Sequence, residues 1–243
     1  MNLRDRLRAI DTPKKPQTPQ QTFTSCWERV TLLPYSNALP CKPVPTETLR
    51  SIQNEALPLD LQPSDILFLD TETTGLSSGA GTVAFQVGLG QMQANGFAVT
   101  QLVMRDYPEE VFLLEKVQQA AKSCKVICTF NGKTFDLPLL RTRFIMNRLN
   151  PGCLDKPHID LLPMARRLWK LRLRRCNLAT LEEVILGMPR EDDLPGALVP
   201  QRYFDYLRTK QFSLLEDVLR HNQQDIASLC TLLYHMAAVY EQP

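Results

Sequence analysis

The sequence lacks the marks of several protein classes at once. No run approaches the roughly 20 apolar residues of a membrane-spanning helix, so no membrane association is expected. Met1 to Ile10 is charged throughout and has no apolar segment, which does not fit a secretory signal. The seven cysteines (Cys26, Cys41, Cys124, Cys128, Cys153, Cys176 and Cys230) are scattered, odd in number and form no C-x-x-C pair. That pattern argues against a disulfide framework or a zinc site and leaves reduced thiols in a cytoplasmic protein as the expectation. A strong net charge is missing too. The formal value of +2 does not exclude a nucleic-acid partner, because an acidic metal site can offset a basic surface. There is no internal repeat. Gly79-Ala80-Gly81 lacks the Lys-Ser/Thr that would make it a nucleotide triphosphate loop, although glycines there could let a substrate backbone approach.

What is present supports one globular domain with an extension. The chain has 243 residues, and 44% of them are hydrophobic, enough for a sizeable core. Residues 1–22 read as a basic stretch and a flexible Pro/Gln/Lys/Thr-rich linker. Residues 23–63 read as an extended arm packed on the domain, with aromatic anchors Phe23, Trp27 and Tyr35 and a short helix near Thr46–Glu55. This arm is expected to offer a docking segment for a partner protein. Residues 64–243 carry the regular pattern. DILFLD is a short buried strand ending in acids. TVAFQVGLGQM and FAVTQLVMRDY are two further strands with Asn95-Gly96 between them, a hairpin signal. Helices are expected at 109–122, Asp136–Leu149, after His158–Asp160 through Trp169, and at about 178–186, 200–209 and 213–239, with KVICTF and His158–Asp160 as short strands. The order predicts an α/β fold: a mixed five-stranded sheet, three antiparallel strands and then parallel ones, flanked by helices.

Three acidic segments stand out. Asp70 and Glu72 are two residues apart at the end of the first strand, so both point to one face and can converge on a cation. Asp136 follows the loop Asn131-Gly132-Lys133-Thr134 at a helix start. Asp225 lies four residues after His221, on the same face of the last long helix. Each has an ordinary structural reading: a polar strand end, an N-cap, a solvated helix edge. Together they offer what two-metal phosphodiester hydrolysis needs. Two divalent ions roughly 3.5–4 Å apart clamp the attacking and leaving oxygens of an in-line displacement, and hard ions such as Mg²⁺ take carboxylate and water oxygens.

FLDTETTGL, FNGKTFDLPLL and HNQQDIASL resemble, in that order, the three exonuclease motifs of the DnaQ-like (DEDD) branch of the ribonuclease H-like superfamily. GAGTVAFQVGLG, HIDLLPMARRLWK, LATLEEVILG and REDDLPGALVPQRYFDYL, with HNQQDIASL, resemble the YprB-like ribonuclease H-like family over roughly residues 60–240. The resemblance implies a ribonuclease H-like fold, two Mg²⁺ or Mn²⁺ ions and a 3′→5′ exonuclease-type reaction. It implies that Asp70 touches both ions, that Glu72 and Asp225 serve the ion carrying the nucleophilic water, and that Asp136 serves the other. DnaQ-like enzymes place a histidine five residues before the last Asp, or a tyrosine four before it; here His221 stands four before Asp225. As general base, His221 must reach the attacking water.

Around this site, Arg166, Arg167 and Lys170, continued by Arg172, Arg174 and Arg175, form a basic run suited to phosphates, with Trp169 assigned to the core. Thr71, Thr73 and Asn131, beside the acids, are further candidates for contact with nucleic acid. Asp160 reads as a supporting acid, and Glu191-Asp192-Asp193 as an exposed acidic turn. The expectation is a nuclease, a 3′→5′ exonuclease on single-stranded DNA or RNA. The alternatives are a structure-specific endonuclease and a non-catalytic nucleic-acid-binding module.

Overall fold

The computed structural model describes residues 24–36, 39, 42–52, 56–75, 81–190 and 193–241. The basic stretch and linker read at residues 1–22 lie outside them. The framework is a six-stranded sheet of β1 (Trp27–Leu33), β2 (Ile66–Thr73), β3 (Ala84–Gln93), β4 (Gly96–Val103), β5 (Val126–Thr129) and β6 (His158–Asp160). Its order is β1-β4-β3-β2-β5-β6. The β1–β4, β4–β3 and β3–β2 pairs are antiparallel, and β2–β5 and β5–β6 are parallel. Antiparallel strands followed by parallel ones match the sequence expectation.

The sixth strand does not. β1 was expected to be part of an extended arm. Its outer face carries Glu28, Val30 and Leu32, with Val30 61% exposed, while Arg29 and Thr31 turn partly inward. That inversion of the usual apolar-in pattern hides an edge strand from periodicity reasoning. The hairpin also starts one residue earlier than expected. Gln93 pairs with Gly96, so the turn residues are Ala94 and Asn95 and the glycine opens β4.

The helices are α1 (Thr46–Ile52), α2 (Glu110–Ser123), α3 (Asp136–Met146), α4 (Leu161–Trp169), α5 (Leu178–Leu181, continued by a wider turn over Glu182–Leu186), α6 (Val199–Thr209) and α7 (Glu216–Tyr240). Each sheet face has its own core. On one, Leu67, Leu69, Phe85, Val87 and Leu89 meet α2, α3 and α6, where Phe85 stacks on Tyr203 at 4.0 Å between ring centroids. On the other, Phe68, Phe97 and Val99 meet α1, α4 and α7. Trp169 sits in that second core.

α7 approaches the sheet closely because β3 presents glycines to it. A Cβ on Gly88 would stand 2.3 Å from Asn222 Oδ1, and one on Gly90 would stand 2.6 Å from Ile226 Cγ2. Only residues without a side chain leave room for the helix at this depth. The approach brings α7 against the end of β2 that bears the acids. Among the described residues, no helix is long and apolar enough to cross a membrane.

Candidate metal centre

Three separate segments deliver the four acids. Asp70 and Glu72 lie on one face of β2, Asp136 opens α3, and Asp225 lies one third of the way along α7. Glu72, Asp136 and Asp225 are buried and Asp70 is half-buried. Burial holds the Asp70 carboxyl well above the usual carboxylate range, and the charges of Asp225 and Asp136 push the same way. Glu72 is raised by burial and then by Asp70, Asp225 and Asp136. Burial lifts Asp136 to about 6, against the hydrogen bond from Thr71. Asp225 is also raised by burial, with His221 and Arg190 opposing the shift.

Carboxyls raised in the folded state favour folding while protonated. That contribution is lost as pH climbs from the unfolded carboxylate range, near ~4, through the folded values. Charging this cluster therefore costs stability, and a bound cation removes the cost. Hard oxygen donors, mutual repulsion and partial burial together make a set that fits divalent ions.

Three of the four acids, Asp70, Asp136 and Asp225, have a hydrogen-bonding partner that positions them. The Thr71 hydroxyl donates to Asp136 Oδ1 at 2.5 Å. Asn222, fully buried on α7, donates Nδ2 to Asp70 Oδ2 at 2.9 Å. Gln101 on β4 donates Nε2 to the Leu219 carbonyl at 2.7 Å and, more weakly, to Asn222 Oδ1 at 3.4 Å. Gln101 Oε1 accepts from Arg29 Nη2 at 2.9 Å. The unexpected strand β1 thus anchors a row of polar side chains that ends on Asp70. The row has one consistent polarity, because a carboxylate can only accept.

The segment before α6 supplies a second network. Arg190, with a side chain only 8% exposed, ion-pairs with Glu182, Asp193 and Asp225. Burial opposes its charge, but these acids together hold the guanidinium firmly protonated. The Nδ1–H of His221 donates to Asp193 Oδ1 at 2.8 Å. Arg190 Nη1 lies 3.1 Å from the same nitrogen, but Asp193 can only accept, so Arg190 donates to Asp193 Oδ2 at 2.9 Å. His221 Nε2 then faces Asp225 Oδ2 at 3.5 Å and Glu72 Oε1 at 3.9 Å.

The remaining candidate residues fall into two groups. Thr71 and Thr73 are buried, their hydroxyls held by Asp136 and by the Gly75 carbonyl. Asn131 is exposed in a left-handed conformation (φ 67°) and accepts from Thr134 through its side chain. Asp160 accepts backbone N–H groups from Asn131, Lys133 and Leu162, which pins the loop before Asp136 to the start of α4. Arg166, Arg167 and Lys170 are exposed, with Arg172, Arg174 and Arg175 beyond them, and Arg167 also donates Nη1 to the Ile52 carbonyl. Sequence reasoning missed Arg190, Asn222, Gln101 and Gly88. For Arg190, Asn222 and Gly88 the available signal was their position inside REDDLPG, HNQQD and the glycine alternation of β3; Gln101, on β4, carried none. Asp193, read as part of an exposed turn, is instead partly buried against His221; Glu191 and Asp192 lie outside the described residues.

A family model described as the RNase_H superfamily matches residues 67–237. The chain belongs to that superfamily. The match begins inside β2 and ends inside α7, so it contains Asp70, Glu72, Asp136 and Asp225. The chain is 38% identical over 176 residues to the uncharacterized protein YprB of Bacillus subtilis (strain 168), across 72% of this chain and 42% of that protein. It therefore spans about two fifths of that relative. In structure it is similar to the family B DNA polymerase of the archaeon Pyrobaculum calidifontis, with a TM-score of 0.56 and 14% identity over 73% of this chain and 25% of that one. At that identity the likeness concerns the fold.

Proposed function

We propose that this chain is a metal-dependent nuclease that hydrolyses phosphodiester bonds by two-metal catalysis, working as a 3′→5′ exonuclease on single-stranded DNA or RNA. The observation that carries the reading is the convergence of Asp70, Glu72, Asp136 and Asp225 from three distant segments into one repelling, partly buried cluster. Membership of a nuclease superfamily supports it. Mg²⁺ or Mn²⁺ bound there would supply Lewis-acid stabilisation of the attacking and leaving oxygens. In this reading Asp70 would serve both ions, Glu72 and Asp225 one and Asp136 the other. Asn222 and Thr71 fix the carboxylates they touch, and Asp193 fixes the ring of His221. Arg166 and Lys170 would hold phosphates of the incoming strand, with Asn131 near its end.

Incubation with 5′-labelled single-stranded DNA and RNA in Mg²⁺ or Mn²⁺ tests the proposal. Stepwise shortening is expected. Shortening that persists in Asp70→Ala would sink it, and cleavage of a circular substrate would point to an endonuclease instead.

Two further outcomes follow from this reading. Asn222→Leu keeps the buried volume but removes the donor to Asp70, so metal affinity and kcat should each fall by about 10–100-fold. Titration calorimetry with Mn²⁺ and initial rates measure both, and unchanged values in the variant would remove Asn222 from the site. Arg166→Gln and Lys170→Gln should raise KM and leave kcat intact. Each lost phosphate contact should reduce the slope of log affinity against log salt by roughly 0.7 on single strands. An unaltered slope would place the strand elsewhere on the surface.

A further inference from the structure

We propose that His221 is a ligand of the ion held by Glu72 and Asp225, so that this position selects a transition-metal dication such as Mn²⁺ over Mg²⁺. The inference rests on the nuclease reading only for the presence of a metal at the cluster. Glu72, His221 and Asp225 each offer one ligand atom, all within 4.8 Å of one another. Two atoms bound to one ion at about 2.1 Å can stand no more than about 4.2 Å apart. The spacings from His221 Nε2 to Asp225 Oδ2, 3.5 Å, and to Glu72 Oε1, 3.9 Å, both fall inside that limit.

Two independent contacts prepare these atoms. Asp193 accepts the Nδ1 proton, which fixes the tautomer and turns the Nε2 lone pair inward. A ring nitrogen backed by a carboxylate on its far side is how metal-binding histidines are usually supported. Arg190 occupies Asp225 Oδ1, so the oxygen that faces His221 is the other one. A histidine acting as general base could share the Asp193 support. What favours ligation is the direction of Nε2, into the gap between two carboxylates. An imidazole donor shifts preference away from Mg²⁺, which takes oxygen ligands, toward transition metals.

Electron spin-echo envelope modulation of Mn²⁺ bound to the full chain tests this directly. The expected result is a ¹⁴N coupling from a bound imidazole, lost in His221→Gln while Mn²⁺ still binds through the carboxylates. Competition calorimetry should show Mn²⁺ preferred over Mg²⁺, with the preference falling about 10-fold or more in His221→Gln. In Asp193→Asn the ring loses its anchor, and Mn²⁺ affinity should fall within the same ~10–100-fold range. Mn²⁺ bound to the unaltered chain without ¹⁴N coupling would overturn the proposal and leave the nuclease reading standing, with His221 returned to the role of base. Absence of any Mn²⁺ binding would overturn both.

Discussion

Asp70→Asn is expected to lower kcat by about 10³-fold or more while leaving the folded protein as stable as before, or more so. On the proposed reading the carboxylate would serve both ions, and loss of metal-based charge stabilisation worth about 4 kcal/mol corresponds to about 10³-fold in rate. The amide keeps the shape of the side chain, and its oxygen can still accept from Asn222. It also removes a charge that burial and the neighbouring acids make costly. Activity and metal-free stability should therefore move in opposite directions, as expected where a functional site stores repulsion. Initial rates at saturating Mn²⁺ and thermal melts in chelator check the two halves. A variant that keeps its rate would remove Asp70 from the chemistry, and one that melts well below the parent would make the acid structural.

Arg190→Met should produce the largest loss of stability. The side chain is 8% exposed, and its partners Glu182 and Asp225 are 0% and 12% exposed. Removing one member of such a buried ion-pair network leaves uncompensated charges and commonly costs about 3–5 kcal/mol. For a chain of this size that corresponds to a fall in Tm of roughly 6–20 °C. Millimolar Mn²⁺ should restore part of the loss, because a cation that binds only the folded state can neutralise Asp225 in place of the guanidinium. Melts with and without Mn²⁺ measure this. A shift of under a degree or two would show that the four charges are solvated rather than mutually dependent.

The two variants mark where the sequence was legible. Asp70, Glu72, Asp136 and Asp225 could be picked out because acids beside strong strand and helix patterns are conspicuous, and because the three segments resemble known motifs in their order. Spacing also placed Asp70 and Glu72 on one face of a strand. The supporting residues were not legible, because their roles depend on contacts across the chain. Asn222 meets Asp70 from 152 positions away, and Arg190 meets Asp225 from 35. Neither carries a local pattern that distinguishes it from a helix-face amide or a loop arginine. β1 was missed for a related reason. Its inward residue Arg29 bonds Gln101 instead of filling a core, so the strand does not alternate in the expected sense. Gly88 is the same lesson in reverse: the absence of a side chain lets Asn222 reach the site, and only the packed helix reveals it.

The most direct measurement of the central claim is the stoichiometry and affinity of Mn²⁺ by titration calorimetry on the full chain, with Asp70→Asn beside it. Two ions per chain are expected for the unaltered protein, with at least one lost in the variant. A chain that binds no divalent ion at millimolar concentration, or an Asp70→Asn variant that binds both ions as tightly as the parent, would contradict the account.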